Sequence, residues 1–152
     1  MIHMLNKIAD ALNKKEFTIG IFCDLSKAFD MVPINLLVSK LNKIGIRGSA
    51  LEWFKNYLTK RKQFVQLGND KSQFLESNFG VPQGSILGPI LFLIFFNDIT
   101  KCTALYMLLF CDDTTILASG SNIHDLITQV NSELCKISQW FRANRISLHT
   151  LK

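Results

Sequence analysis

Between residues 105 and 119 the chain reads LYMLLF, then CDD, then TTILAS. Two apolar runs rich in aromatic and β-branched residues are thus separated by only three positions. Strands joined that closely must pair antiparallel, because a parallel pair needs a crossover of about a dozen residues or more. The fold must contain this hairpin, with Asp112 and Asp113 at or beside its bend. Successive side chains of a regular strand take opposite faces, so the two carboxylates can serve one site only if CDD sits in the bend itself. Like charges that close need a cation or a solvent shell between them.

The remaining segments fall in around that hairpin. FTIGIFCDL at 17–25 is apolar on both parities, as in a central strand covered on both faces. Asp24 nearly closes it, where the chain turns toward a helix. Upstream, 4–14 places Leu5, Ile8 and Leu12 on one helical face. Downstream, Ile34, Leu37, Val38, Leu41 and Ile44 recur at helical spacing behind Pro33, a residue suited to a first turn, and Gly45 or Gly48 can end that helix. Ser49 and Glu52 read as a capping box opening a helix through Trp53, Phe54, Tyr57 and Leu58.

QFVQLG and SQFLESNFG flank GNDK as a hairpin, and VPQG at 81–84 reads as a tight type I turn. Ser85 then caps an apolar helix at 86–98 that tolerates Pro89 in its first turns. A last helix, 122–143, buries Ile123, Leu126, Ile127, Val130, Leu134, Ile137 and Phe141. The order βα, α, ββ, α, ββ, α predicts an α+β fold, with helices packed on one face of an antiparallel sheet.

Composition narrows the class. At 152 residues, 48% hydrophobic with twelve Phe, the chain is long and apolar enough for a single folded domain. Its longest apolar stretch, ILGPILFLIFF at 86–96, is interrupted by Gly88 and Pro89 and falls short of the roughly 20 residues of a membrane span. No signal peptide is visible, so no membrane partner is expected. Seventeen basic against twelve acidic residues, net +5, fits a polyanionic partner. Cys23, Cys102, Cys111 and Cys135 form no C-x-x-C pair and read as reduced, mostly buried thiols of an intracellular protein. His3, His124 and His149 have no partner at ligand spacing and belong on the surface. No phosphate-cradling G-x-x-x-x-G-K and no dinucleotide fingerprint appears, which removes the commonest rival enzymes.

Three carboxylates remain for chemistry. Asp24 with Asp112 and Asp113 would supply the oxygen ligands that Mg²⁺ prefers. A pair of such ions roughly 3.5 to 4 Å apart can serve both the attacking hydroxyl and the leaving phosphate of an in-line displacement. Singly, each feature has a plainer reading: a solvated turn for the pair, a helix cap for Asp24. VPQGS is either a turn before a capped helix, or a place where Gly84 lets backbone approach a ligand while Gln83 offers an amide. In WFKNYLTKRKQF, the cations Lys55, Lys60, Arg61 and Lys62 either grip nucleic acid among aromatics or offset a helix dipole.

Taken in order, FCDLSKAFDMV, GVPQGSILGPILFLIFFNDI and FCDDTTIL resemble the palm of reverse transcriptases, in particular those of non-LTR retrotransposons. LLVSKLNKIGIRGSALEWFKNYLTKRKQFVQLG and QWFRANRISL resemble the neighbouring regions, so the likeness runs from Phe17 to Lys152. It implies one partial domain, 1–152: a right-hand polymerase palm with incomplete fingers and no thumb. It implies RNA-directed DNA polymerase chemistry, in which a primer 3′-OH attacks the α-phosphate of a dNTP on an RNA template, catalysed by positioning and charge neutralisation.

By the same resemblance Asp24, Asp112 and Asp113 hold two Mg²⁺ ions, with Mn²⁺ as substitute, aided by the backbone carbonyl of Leu25. Phe29 becomes the gate that collides with a ribose 2′-OH. Gln83 and Gly84 lie against the incoming nucleotide and the template. Cys111 stands where the family usually has Ala, and His149 where it often has Asn. Two other readings share these residues: an inactive retroelement remnant that only binds nucleic acid, and a metal-dependent nuclease.

Overall fold

The computed structural model describes residues 2–25, 27–110 and 113–147. Along the chain run α1 (Ile2–Asn13), β1 (Phe17–Asp24), α2 (Ala28–Met31), α3 (Ile34–Lys43), α4 (Gly48–Leu58), β2 (Arg61–Gln63), β3 (Gln66–Leu67), β4 (Asp70–Lys71), β5 (Leu75–Ser77) and α5 (Leu87–Phe96). A 3₁₀ turn (Asn97–Lys101) leads on to β6 (Tyr106–Phe110), β7 (Asp113–Gly120) and α6 (Ile123–Ala143). The elements group into two compact units, residues 1–26 with 98–152 and residues 27–97.

The first unit carries a three-stranded antiparallel sheet in the order β1-β7-β6. The expected hairpin forms: β6 pairs β7 from Tyr106↔Leu117 to Phe110↔Asp113. β1 pairs the other side of β7, from Phe17↔Gly120 to Asp24↔Asp113. β1 is therefore an edge strand, not the doubly covered central one that its composition predicts. The centre belongs to β7, whose Thr114, Ile116 and Leu117 are buried, whereas Phe22 of β1 stays 74% exposed.

The helices take both faces of this sheet rather than one. Gly120, on the Ile116 side, abuts Leu126 of α6. On the other side Leu117 and Tyr106 line a hollow with Ile8 and Ala11 of α1, and Lys7 Nζ sits 4.7 Å from the Tyr106 ring centre. Apolar surface on both sides of β7 requires cover on both sides. Within α1 the inward stripe is Met4, Ile8 and Ala11, so Leu5 and Leu12 face solvent.

In α6, Asn122 caps the N-terminus by accepting from the His124 N–H at 2.9 Å. The buried stripe is Leu126, Val130, Glu133, Ile137 and Phe141, with Ile127 exposed. A carboxylate thus sits mid-stripe. Its Oε2 accepts from Thr103 Oγ1 at 2.7 Å and the Ala104 N–H at 2.9 Å, and its Oε1 from Lys136 Nζ at 2.6 Å. Those bonds, Lys136 and Thr103 foremost, hold the Glu133 carboxyl down at about 2.

The second unit packs α3 against α4 and α5, with Leu37, Leu41, Leu58, Leu91, Phe92 and Phe95 buried. Pro33 stands just outside α3 as its N-cap. Gly45, at φ 101°, ends that helix as expected, but leaves Ile44 exposed. The Ser49–Glu52 box does not form: α4 already starts at Gly48, behind Arg47, with no side-chain cap. Trp53 is exposed and stacks on Tyr57 at 5.3 Å.

The predicted hairpin around GNDK appears as β2–β5 and β3–β4, each antiparallel. Its Phe64 and Phe74 meet edge to face at 4.9 Å. The three described cysteines are free thiols; Cys23 and Cys102 are half-buried and Cys135 is exposed, so the expectation of buried thiols holds only partly. Burial pushes the Cys23 and Cys102 thiols up.

Candidate active site

Two clusters carry the residues singled out in the sequence, one in each unit. In the first, the β1–β7 register sets Asp24 directly opposite Asp113. Directly opposed residues share one face of a sheet, with Cβ atoms about 5 Å apart. Both carboxylates are exposed. On the same face stand Phe22, paired with Thr115, and Phe110, paired with Asp113, both largely exposed. Asp24, Asp113, Phe22 and Thr115 border a cavity of about 240 Å³. Leu25, next along, is buried and anchors the end of the strand.

Asp112 lies outside the described residues, as do Cys111, His149 and Lys152. Among the described residues no three His, Cys, Asp or Glu gather as a metal site. The donor set that is described fits the expected ion. Two solvent-facing carboxylates on one face are hard oxygen ligands, suited to Mg²⁺ or Mn²⁺ and not to a soft metal.

In the second unit the Phe29 and Gln83 segments run side by side. The Val81 N–H donates to the Phe29 carbonyl and the Gly80 N–H to the Val32 carbonyl, both at 2.8 Å. Gly80 makes this approach possible: its φ is +83°, and a Cβ there would lie 2.9 Å from Asp30 Cα and 3.0 Å from Asp30 O. Arg61 fastens the same segment, with Nη2 donating to the carbonyls of Phe79 at 3.1 Å and Gly80 at 2.7 Å, and Nε to that of Leu58 at 3.2 Å. The Phe29 ring stacks on Phe92 with centroids 4.5 Å apart.

Gln83 Nε2 donates to Asp30 Oδ1 at 2.8 Å. The turn that follows is Pro82–Ser85, one residue later than expected, closed by the Ser85 N–H on the Pro82 carbonyl at 3.4 Å. Gly84 occupies its third position at φ 78°, the sign that a type II turn requires and type I forbids. Ser85 caps as expected, its Oγ accepting from the Gly88 N–H at 3.0 Å. A side chain at Gly88 would collide with the Pro82 carbonyl. Asp30, Arg61, Ser77 and Gln83 share a cavity of about 540 Å³.

Asp24 and Asp113 are thus brought together, and so are Phe29 and Gln83 with Gly84 beside it. Sequence reasoning missed Asp30, which carries no spacing signal, and saw Arg61 only as one cation in a basic run.

An antiparallel sheet with covering helices is an arrangement with a solved counterpart. The fold matches an apo telomerase from Candida tropicalis, truncated of its C-terminal domain, with a TM-score of 0.63 at 16% identity, over 88% of this chain and 30% of that one. The sequence matches the reverse transcriptase (RNA-dependent DNA polymerase) family over residues 2–152, and the chain belongs to that family.

Relatives include a probable RNA-directed DNA polymerase from transposon BS of Drosophila melanogaster, 30% identical over 148 residues, or 91% of this chain. The RNA-directed DNA polymerase from mobile element jockey of the same fly is 28% identical over 145 residues, 90% of this chain. The chain spans 16% of the length of each. Among the described residues no helix is long and apolar enough to cross a membrane.

Proposed function

We propose that the chain is the palm, with part of the fingers, of an RNA-directed DNA polymerase that adds dNTPs to a primer 3′-OH on an RNA or DNA template. The observation that carries this reading is the direct opposition of Asp24 and Asp113 at the exposed end of β1 and β7. Asp24, Asp112 and Asp113, with the Leu25 carbonyl, would hold two Mg²⁺ ions, Mn²⁺ substituting. Bound there, such ions supply charge neutralisation at the attacking and leaving oxygens.

The protein's own part is placement. Phe29, its ring fixed against Phe92, bars a ribose 2′-OH, the group that tells the two sugars apart. Gln83 and Gly84 meet the incoming nucleotide and template. Membership of a family whose named relatives are RNA-directed DNA polymerases supports the substrate class.

The test is labelled-primer extension on an RNA template with Mg²⁺, in the 152-residue chain and in a chimera carrying the rest of a related polymerase. Asp113→Asn should abolish extension by the chimera, and Phe29→Ala should admit ribonucleotides. Extension that survives Asp113→Asn, or shortening of the primer without dNTP, overturns the assignment, the latter in favour of a nuclease.

A further inference from the structure

A side chain that bars a hydroxyl does so only as far as the backbone beneath it refuses to move. Phe29 is carried by the segment 29–33, and a second segment, 79–81, runs antiparallel beside it. The Phe29 carbonyl accepts from the Val81 N–H and the Val32 carbonyl from the Gly80 N–H, both at 2.8 Å, and Phe79 bridges Pro33. This strap lies beyond β5, which ends at Ser77. Its stiffness has to come from outside the ladder.

Arg61 supplies it. Nη2 donates to the carbonyls of Phe79 at 3.1 Å and Gly80 at 2.7 Å, while Nε holds the carbonyl of Leu58 at 3.2 Å. Leu58 is fully buried and closes α4, which gives the guanidinium a fixed base. A planar fork can serve carbonyls on two segments at once, whereas an ammonium is a point charge. With Nε and Nη2 taken up by backbone, Arg61 is a fastener and not one more phosphate-gripping cation of the basic run around it. Ser77 Oγ adds a further donor to the Phe79 carbonyl at 2.8 Å.

Resting on the polymerase reading, we propose that Arg61 is a positioning residue for sugar selection: through the strap at 79–81 it holds the backbone of Phe29 against displacement by a ribose 2′-OH. A ribonucleotide enters by pushing Phe29 back, and Arg61 sets the resistance to that push. A deoxynucleotide makes no such push, so its binding is indifferent to Arg61.

The experiment uses the 152-residue chain, ¹⁵N-labelled, with Arg61→Lys and Ser77→Ala variants. Amide hydrogen exchange at Gly80 and Val81 is followed by NMR, and affinities for Mg²⁺–dATP and Mg²⁺–ATP are measured. Arg61→Lys keeps the charge, so a purely electrostatic grip on the triphosphate would survive it. It should speed exchange at both amides and erode the preference for dATP about threefold to tenfold, the contribution of one hydrogen bond, by tightening ATP while dATP holds. Ser77→Ala removes one donor to the same strap and carries the test if Arg61→Lys fails to fold; it should move both readouts the same way and less far. Exchange that stays unmoved, exchange that speeds with the sugar preference unchanged, or equal weakening of both nucleotides overturns the positioning role while the polymerase reading stands. A wild-type chain that binds the two nucleotides equally overturns the Phe29 gate and this proposal with it, and one that binds neither overturns the polymerase reading as well.

Discussion

Replacing Asp113 by Asn should make the metal-free chain more stable. Asp24 and Asp113 are opposed across the β1–β7 ladder and exposed, so two negative charges face one another with no cation between them among the described residues. At about 5 Å in water the repulsion is about 0.8 kcal/mol, inside the roughly 0.2–1 kcal/mol range for directly opposed cross-strand pairs. Asn keeps the shape and removes the charge. In EDTA at low salt its melting temperature should rise by about 1–3 °C, given about 2–4 °C per kcal/mol for a chain of this size.

Divalent cation reverses the order. Mg²⁺ at a hundredfold over its Kd adds about 2.7 kcal/mol to whichever chain binds it, and only wild type keeps both carboxylates. Thermal melts of the two chains, each with EDTA and with Mg²⁺, give the answer directly, and 1 M salt should shrink the EDTA difference by screening. The reasoning fails if Asp113→Asn melts lower in EDTA, or if Mg²⁺ raises both chains equally.

Two further substitutions probe the supports of the site. Gly80→Ala should cost at least about 2 kcal/mol in urea unfolding, since a Cβ at positive φ costs about 1–2 kcal/mol and here it also meets the Asp30 backbone. Gly84→Ala has the same sign of φ with open space around it, and should lose only the conformational part. Equal losses at both positions would mean that the close approach at Gly80 does not exist. For Glu133, a folded carboxyl at about 2 against an ordinary 4.5 contributes stability that is complete above the ordinary value and drains away as pH falls toward 2. Glu133→Gln should flatten the stability profile between roughly pH 5 and pH 2, and a profile as steep as wild type refutes the bond set.

Local rules read well from the sequence because their causes are local. Only three residues part the two runs at 105–119, so the hairpin is forced; Gly45 stops α3 and Ser85 caps the start of α5 for reasons contained within a few residues. Non-local facts were out of reach. Apolar residues on both parities of β1 could not say that β7, not β1, takes the centre of the sheet. Glu133 was invisible as a core residue because its partners Thr103 and Ala104 lie about thirty positions upstream. The Ser49–Glu52 pattern was outrun by a helix whose cap position, Arg47, lies two residues before Ser49. At the site, Asp24 and Asp113 became partners only through the order of the three motifs, and the Asp30–Gln83 bond spans 53 positions with no periodic trace.

The eight unbroken rungs between Phe17↔Gly120 and Asp24↔Asp113 also govern how such a chain can change over time. Substitutions along the strand can come one by one, but length cannot: losing a single codon from it would swing Asp24 to the Cys23 side while most of the sheet still formed. Loss of two would keep the facing and shift the neighbours. Descendants of this chain should therefore tolerate varied letters in that strand and even-numbered length changes, and an odd one should leave a folded protein with its acidic pair split apart.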